Sequence, residues 1–290
     1  MVYFANCHLH STFSDADFTP EDLVEVAAEL GHKAIILTDH DNIGGCYRLQ
    51  KAARKKGMLS LLGCEFSVEG LGRNIHLVGI DFNPLDPDLQ KLMQEECKNT
   101  SKRSQILLQW AVEKGNIRGN VTWQEVQEAF PENEYLCCNQ IWEVLSKKGL
   151  YQPEEYKEWH RENFTGRDRE RQAKVRALAG SVYPKLEDVV KAIRKAGGVP
   201  IVAHPKRDMM EHAEELVEMG VMGFETHHPD MEEDVKQFFD RFCEERGLYK
   251  MGGTDHRSVL CGHHPNMNFL PDSGGVTEED FMKIYHRTLG

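Results

Sequence analysis

The sequence predicts an α/β protein: a seven-stranded β/α barrel interrupted by a helical insertion. Three observations predict it. Short apolar runs alternate with amphipathic helical stretches in both halves of the 290-residue chain, a rhythm that calls for parallel strands with helices outside. Nearly every such run ends in His, Asp or Glu. That suits the carboxyl ends of barrel strands, whereas an open doubly wound sheet would gather its site at one switch point. From about residue 88 to 182 the rhythm breaks into charged helical sequence without a strand pattern.

The elements follow in order. Residues 2–7 read as a short buried strand ending at His8-Leu9-His10. Thr19, Pro20 and Asp22 suit the cap, first position and capping-box acid of a helix, with Leu23, Val26, Ala27 and Leu30 on its apolar face and Gly31 at its end. Residues 33–37 form a second strand leading into Asp39-His40, and a helix over about 43–56 stops at Gly57. Residues 58–62 give a third strand before Gly63-Cys64-Glu65, and 75–80 a fourth that carries His76. In the insertion, Leu107, Leu108, Ala111 and Val112 suit one helix, Trp123, Val126, Ala129 and Phe130 another, and Ile141, Val144 and Leu145 a third. Tyr156, Trp159 and Phe164 anchor a further segment. After Tyr183-Pro184 the alternation resumes: a helix over 185–196, strand 199–203 into His204-Pro205, a helix near 211–219, strand 221–225 into Thr226-His227-His228, a helix over 231–246, and strand 248–251 into Gly252-Gly253-Thr254-Asp255-His256. The expected division is a barrel from 1–87 and 183–290, with an insertion subdomain from 88–182.

Composition narrows the function classes. With 40% hydrophobic and 28% charged residues the chain is an ordinary globular one. Its net charge of -12 argues against a general binder of long nucleic acid, which needs phosphate-neutralising basic surface. Phosphate can still be bound through metal ions, which invert the local charge. The eight cysteines show no C-x-x-C pair, and the vicinal Cys137-Cys138 pair does not suit a structural disulfide. No basic leader and no membrane-length apolar run is present, so a reducing cytoplasm is expected, with free cysteines and no membrane partner.

The strand-end inventory is His8, His10, Asp15, His40, Glu65, His76, His204, Asp255 and His256. In a strand, residues i and i+2 leave one face, so His8 and His10 can converge on one ion. Nine candidate ligands exceed what one ion accepts and imply two or three. Imidazole and carboxylate without thiolate suit Mn, Fe or Zn rather than Ca or Mg. Asp39 and Asp41 flank His40, and one of them is expected to orient an imidazole.

These motifs resemble the PHP family, named for polymerase and histidinol phosphatase members. The matching pieces are His8-Leu9-His10-Ser11 with Ser14-Asp15, Leu37-Thr38-Asp39-His40-Asp41, Gly63-Cys64-Glu65, His76-Leu77-Val78-Gly79, Ala203-His204-Pro205 and Gly253-Thr254-Asp255-His256, in family order. The resemblance implies a distorted seven-stranded barrel, a trinuclear metal site and hydrolysis of phosphate esters. It implies that His8, His10 and Asp255 serve one ion, that His76 and His204 serve a second, and that Asp15, His40 and His256 serve a third, with Glu65 bridging. The helical insertion is similar to that of small stand-alone members acting on nucleotides.

Two departures stand out. Asn6 holds the usual first Asp position; it can hydrogen-bond but carries no charge. His256 follows Asp255 directly, and Arg257 sits where the family histidine would be. Either a local backbone change brings His256 to the third ion, or His227, His228, His263 or His264 substitutes, or the site is binuclear and Arg257 binds phosphate.

The expected chemistry is attack by metal-activated hydroxide on a small phosphomonoester, and the resemblance implies nucleoside monophosphates or bisphosphates as the substrate class. Arg257 is the best phosphate binder because its planar fork suits bidentate contact; Lys206 and Arg207 are weaker candidates. His228 is the candidate general acid. Ser11 and Thr38 read as structural. His32, His160, His212 and His286 read as structural or exposed, and Gly262-His263-His264-Pro265 as a loop. Competing readings are a 5'-3' exonuclease on short oligonucleotides, a histidinol phosphatase, and a metal-binding module without turnover. No obligate protein partner is indicated.

Overall fold

The computed structural model describes residues 2–131, 133–165, 169–258 and 273–287. Thr19 caps helix α1 (Pro20–Glu29) with the expected reciprocal bonds to Asp22. Strand β1 (Ala5–Asn6) pairs in parallel with β2 (Ala34–Ile35), joined by α1. Helix α2 (Cys46–Lys55) packs on α1. A second sheet has the order β3-β4-β5-β6-β7, made of Gly63–Gly70, Arg73–Ile80, Val199–Val202, Gly223–His227 and Tyr249–Gly252. Helices α8 (Leu186–Lys195), α9 (Ala213–Glu218) and α10 (Glu233–Arg246) alternate with these strands, and α11 (Glu278–Arg287) follows.

The sheet is mixed, which corrects the all-parallel expectation. β3 pairs antiparallel with β4, and β4 antiparallel with β5; only β5-β6 and β6-β7 are parallel. The cause is local. Leu71 and Gly72 both adopt positive φ, 50° and 69°, so a tight two-residue turn joins β3 to β4 with no room for a crossover helix. The same hairpin moves the third strand downstream. Residues 58–62, expected as a strand, contribute one bridge from Leu59 to Ala34, and the ladder begins at Gly63.

Single backbone bonds tie the two sheets together at both edges. Cys7 N donates to Gly252 O at 3.1 Å, Asp255 N to His8 O at 2.9 Å, and Asp41 N to Glu65 O at 2.9 Å. Alternation along the strands then sorts the core. Ala34 and Ile36 face inward with Val78, Ile201 and Met251, while Ile35 and Leu37 face α1 and α2. Phe66, Leu77 and Phe224 pack outward against Val189, Ile193 and Phe239 of α8 and α10.

Between β4 and α8 lie α3 (Pro87–Glu113), α4 (Trp123–Ala129), α5 (Cys138–Lys147), α6 (Tyr156–His160) and α7 (Arg169–Ala179). They bury an apolar cluster of their own, with Trp142 at its centre against Tyr151, Tyr156 and Trp159. No strand occurs among the described residues of this block.

Candidate metal centre

Glu65 on β3 organises the site. Its Oε2 lies 3.2 Å from His8 Nε2, His10 Nε2 and His40 Nδ1 alike. Its Oε1 lies 2.9 Å from His76 Nδ1 and 3.1 Å from His204 Nε2. Asp255 Oδ1 stands 2.8 Å from His10 Nε2 and 3.7 Å from His8 Nε2. Asp15 Oδ1 is 3.5 Å from His10 Nδ1, and its Oδ2 is 3.9 Å from His40 Nε2. Atoms bound at about 2.1 Å to one ion in tetrahedral or octahedral geometry sit about 3.0–3.4 Å apart, and the contacts of Glu65 with His8, His10, His40 and His204 at 3.1–3.2 Å match that spacing.

The backbone explains the convergence. His8 and His10 follow β1 on one face, and His40 follows β2 with a parallel bridge to Glu65. Gly253 lets the segment after β7 approach β1, because a Cβ there would meet His8 N at 2.2 Å. His204 and Asp255, both non-glycine, adopt positive φ of 29° and 48°. That strained backbone turns each side chain at its strand end toward the cluster.

Four groups of ligand atoms come within 4.8 Å of one another: His8-His10-Glu65-Asp255, His8-Glu225-His228, His10-Asp15-His40 and His40-Glu65-His76. Glu225, absent from the sequence inventory, is fully buried; it contacts His8 Nδ1 at 2.8 Å and accepts from His204 N at 2.7 Å. Its signal was present, since it closes the apolar run Val221-Met222-Gly223-Phe224 and sits at the middle of β6, three positions before His228. His228 lies in the same wall, its Nε2 3.5 Å from Asp255 Oδ2, while His227 turns away onto Tyr3. His256 belongs to none of the four groups. Its ring packs on Phe18, centroids 4.9 Å apart, and faces Asp17 at 3.7 Å. His263 and His264 lie outside the described residues.

Neighbouring groups depart from their expected tasks. Asp39 accepts from Ser11 N, Ser11 Oγ and Ser14 Oγ at 2.7, 2.6 and 2.5 Å, so it braces the turn after His10 and bonds no imidazole directly. Asp41 accepts from Ser67 N at 3.2 Å. Thr38 Oγ1 bonds the backbone of Leu9. Asn6 exchanges two bonds with Thr254 and so pins the segment that carries Asp255. Lys206 pairs with Asp230, and Arg207 with Glu232 and Asp234 on the surface, which removes both from the site. Arg257 stays: its Nε is 3.1 Å from Asp255 Oδ1 and its Nη1 is 3.1 Å from Asp15 Oδ2.

The electrostatics suit cations. Four carboxylates are buried here, Asp15, Glu65, Glu225 and Asp255, and the Arg257 guanidinium pairs with two of them, Asp15 and Asp255. Burial opposes ionisation of Glu65, yet the imidazoles of His8, His76 and His40 hold its carboxyl well below the usual range. Burial likewise opposes ionisation of Asp255, and Arg257 and His8 hold it low. Burial depresses His40 to about 3 and His204 to about 4, keeping both imidazoles neutral as ligation requires. Against burial, Asp15, Asp255 and Glu65 raise His10 to about 9, and Glu225, Glu65 and Asp255 raise His8 well above its normal value. The excess negative charge draws protons onto these two rings where a cation would satisfy it. His8 Nε2, His10 Nε2, His40 Nδ1, His76 Nδ1, His228 Nε2 and Glu65 Oε2 are buried and make no hydrogen bond. Buried polar atoms left this way are costly unless a metal takes them, so the residues present fit a metal cluster.

A cavity of about 380 Å³ adjoins the cluster, within the usual range for small-molecule sites. Asp15, His40, His76 and Arg257 form one wall; Tyr135, Asn139, Tyr156 and His160 of the helical block face them. Asn139 Nδ2 donates to Asp15 Oδ2 at 2.8 Å, and Asn133 Nδ2 to Ser14 O at 2.7 Å. Tyr135 stacks on His40, centroids 5.5 Å apart. Sequence reading singled out no individual site residue in this block and took His160 as structural or exposed; the charged stretch 161–176, readable as a solvated face or a substrate-facing rim, gives Phe164, Gln172 and Arg176 to the cavity lining. No local pattern marks Asn139, because it reaches Asp15 across 124 positions of chain.

An α/β scaffold with a buried imidazole–carboxylate cluster beside a small-molecule cavity defines a metal-dependent hydrolase. The chain belongs to the PHP domain family, whose model matches residues 6–219. It is a metal-dependent phosphoesterase of that family. It is 26% identical over 256 residues to a 5'-3' exoribonuclease of Haemophilus influenzae, covering 86% of this chain and 88% of that one. It is also 26% identical over 258 residues to a 3',5'-nucleoside bisphosphate phosphatase of Chromobacterium violaceum, covering 86% and 85%. A solved structure from Bifidobacterium adolescentis, described as a metal-dependent phosphoesterase, superposes with a TM-score of 0.77 at 20% identity, over 98% of this chain and 96% of that one. No helix among the described residues is long and apolar enough to cross a membrane.

Proposed function

We propose that this protein hydrolyses small phosphomonoesters, with nucleoside monophosphates or bisphosphates as the substrate class. The observation that carries the reading is the Glu65-centred cluster opening beside Arg257 onto a cavity the size of a small molecule. The bisphosphate phosphatase among its relatives supports the nucleotide class. His8, His10, Asp15, His40, Glu65, His76, His204 and Asp255 would hold two or three ions of Mn, Fe or Zn, with Glu225 and His228 joining His8. Such ions supply Lewis acidity and a water that ionises near neutral pH.

The chain's own residues do the remaining work. Arg257, partly open to the cavity, presents its guanidinium fork to phosphate oxygens. Asp15 and Asp255 fix the plane of that fork, and Asn139 holds Asp15 from the opposite side. The helical block, residues 88–182, is a subdomain that walls the substrate from bulk water, and the seven strands form a distorted barrel under it. The edge-to-edge backbone bonds support that closure. His228 is fully buried and lies off the cavity wall, which favours a place among the ligands over the general-acid role expected from sequence. The free thiols of the described cysteines suit a reducing cytoplasm.

Elemental analysis beside a phosphoester panel tests the proposal. The expected result is two to three metals per chain and phosphate release from nucleotides that ceases in chelator. Metal-loaded protein that releases no phosphate from any nucleotide would refute it. The exoribonuclease among its relatives favours one second reading, stepwise trimming of short RNA. A labelled oligonucleotide ladder separates the two, because only diester cleavage shortens it.

A further inference from the structure

The helical block carries a second cluster of reactive side chains that the phosphoesterase reading does not use. Cys137 caps α5 and Cys138 begins it. Among the described cysteines, Cys138 alone is not buried. Its Sγ donates to Asn139 Oδ1 at 3.6 Å, and the Cys137 thiol and the His160 imidazole stand beside it. Cys137, Cys138 and His160 all line the cavity, so a small solute that enters it reaches the thiols. His160 is held in place by stacking on Tyr156, centroids 5.3 Å apart and planes 16° from parallel.

We propose that Cys138 is a modification site for hydroperoxide oxidants, with Cys137 as its resolving partner. Three independent features support this: access through the cavity, an imidazole in contact, and a second thiol on the adjoining residue. The backbone N–H groups that begin the ten-residue helix α5 add a further field favouring a thiolate. The Cys137 thiol, and then His160, hold the Cys138 thiol well below its ordinary range. Burial pushes the Cys46 and Cys243 thiols up to about 12, so they stay protonated.

The chemistry balances. Cys138 thiolate attacks hydrogen peroxide; the S–O bond forms, the O–O bond breaks, and hydroxide leaves. The sulfur loses two electrons and becomes sulfenic acid. Cys137 sulfur then displaces hydroxide from Cys138; the S–S bond forms, the S–O bond breaks, and water departs with the Cys137 proton. Neighbouring Cα atoms lie about 3.8 Å apart, shorter than the ordinary disulfide span of about 4.4–6.8 Å, so the product is strained and readily reduced. It also costs α5 its cap, because Cys137 Sγ accepts from Asn139 N at 3.4 Å.

The test reads mass, not activity, on the full metal-loaded chain. Limiting iodoacetamide near pH 7 should alkylate Cys138 about tenfold faster than any other described cysteine, and His160→Gln should remove most of that advantage. Peroxide should remove two hydrogens from the Cys137-Cys138 peptide, restored by dithiothreitol. Cys137→Ala should instead give a dimedone adduct on Cys138. Alkylation of Cys138 at the pace of the buried thiols would overturn the proposal. So would a Cys137-Cys138 peptide unchanged by peroxide, or no dimedone adduct in the variant.

Discussion

Asn139 offers the sharpest test of how the helical block serves the metal centre. Its side-chain amide donates to Asp15 Oδ2 at 2.8 Å and to Asp15 O at 3.4 Å, while its own carbonyl accepts from Tyr156 Oη. All three residues are buried, so solvent does not screen the bond. Removing the amide with Asn139→Ala strips Asp15 of a hydrogen bond to its ionised form and removes the Asn139 carbonyl that accepts from Tyr156 Oη. A hydrogen bond to a buried charged group is worth about 1.5–3 kcal/mol. Arg257, 3.1 Å from the same oxygen, recovers part of it. For the metal, loss of a group that orients a ligand typically costs about 10–100-fold in affinity or activity. The expected outcome is a fall of that size in kcat/KM, with weaker metal binding by competition against a chelator. Asn139→Asp should do worse, because it sets a second carboxylate against Asp15. Unchanged kcat/KM and unchanged metal affinity in Asn139→Ala would refute the claim that the insertion shapes the metal centre.

Three further outcomes follow from the same geometry. Glu65→Gln keeps the shape of the central residue but removes the charge that five imidazole nitrogens face, so elemental analysis should show lost metal and activity should fall at least about a hundredfold. Arg257→Lys keeps the charge and loses the fork, so KM for phosphoester should rise about tenfold with metal content retained; an unchanged KM would remove Arg257 from phosphate binding. For pH, His10 titrates near 9 in the metal-free fold against about 6.5 unfolded. A raised pKa stabilises the metal-free protein below about 6.5, and that contribution is lost as pH rises through about 9. Metal binding needs the neutral ring, so binding below pH 9 should release protons and tighten as pH rises. Calorimetry in buffers of different ionisation enthalpy measures this, and a binding heat independent of buffer would contradict it.

The sequence alone determined the elements and most of the inner cluster. Motifs such as His8-Leu9-His10 and Ser14-Asp15 are local, and strand periodicity says which side chains share a face. The cap of α1, the helical character of the insertion and the placing of His204 and Asp255 just past β5 and β7 are set within a few residues, whereas Glu65 and His76, expected at strand ends, lie inside β3 and β4. Only the tertiary structure decided the rest. The β3-β4 hairpin reversed strands that alternation had suggested were parallel, because a two-residue turn at Leu71-Gly72 leaves no crossover. Whether His256 joins the cluster depends on the left-handed backbone at Asp255, and that follows from how the segment after β7 docks on β1. Asn139 reaches Asp15 across 124 positions of chain, a distance at which no spacing in the sequence carries information. Local backbone preference is written residue by residue; which side chain meets which across the fold is fixed by packing, and packing is a property of the whole chain.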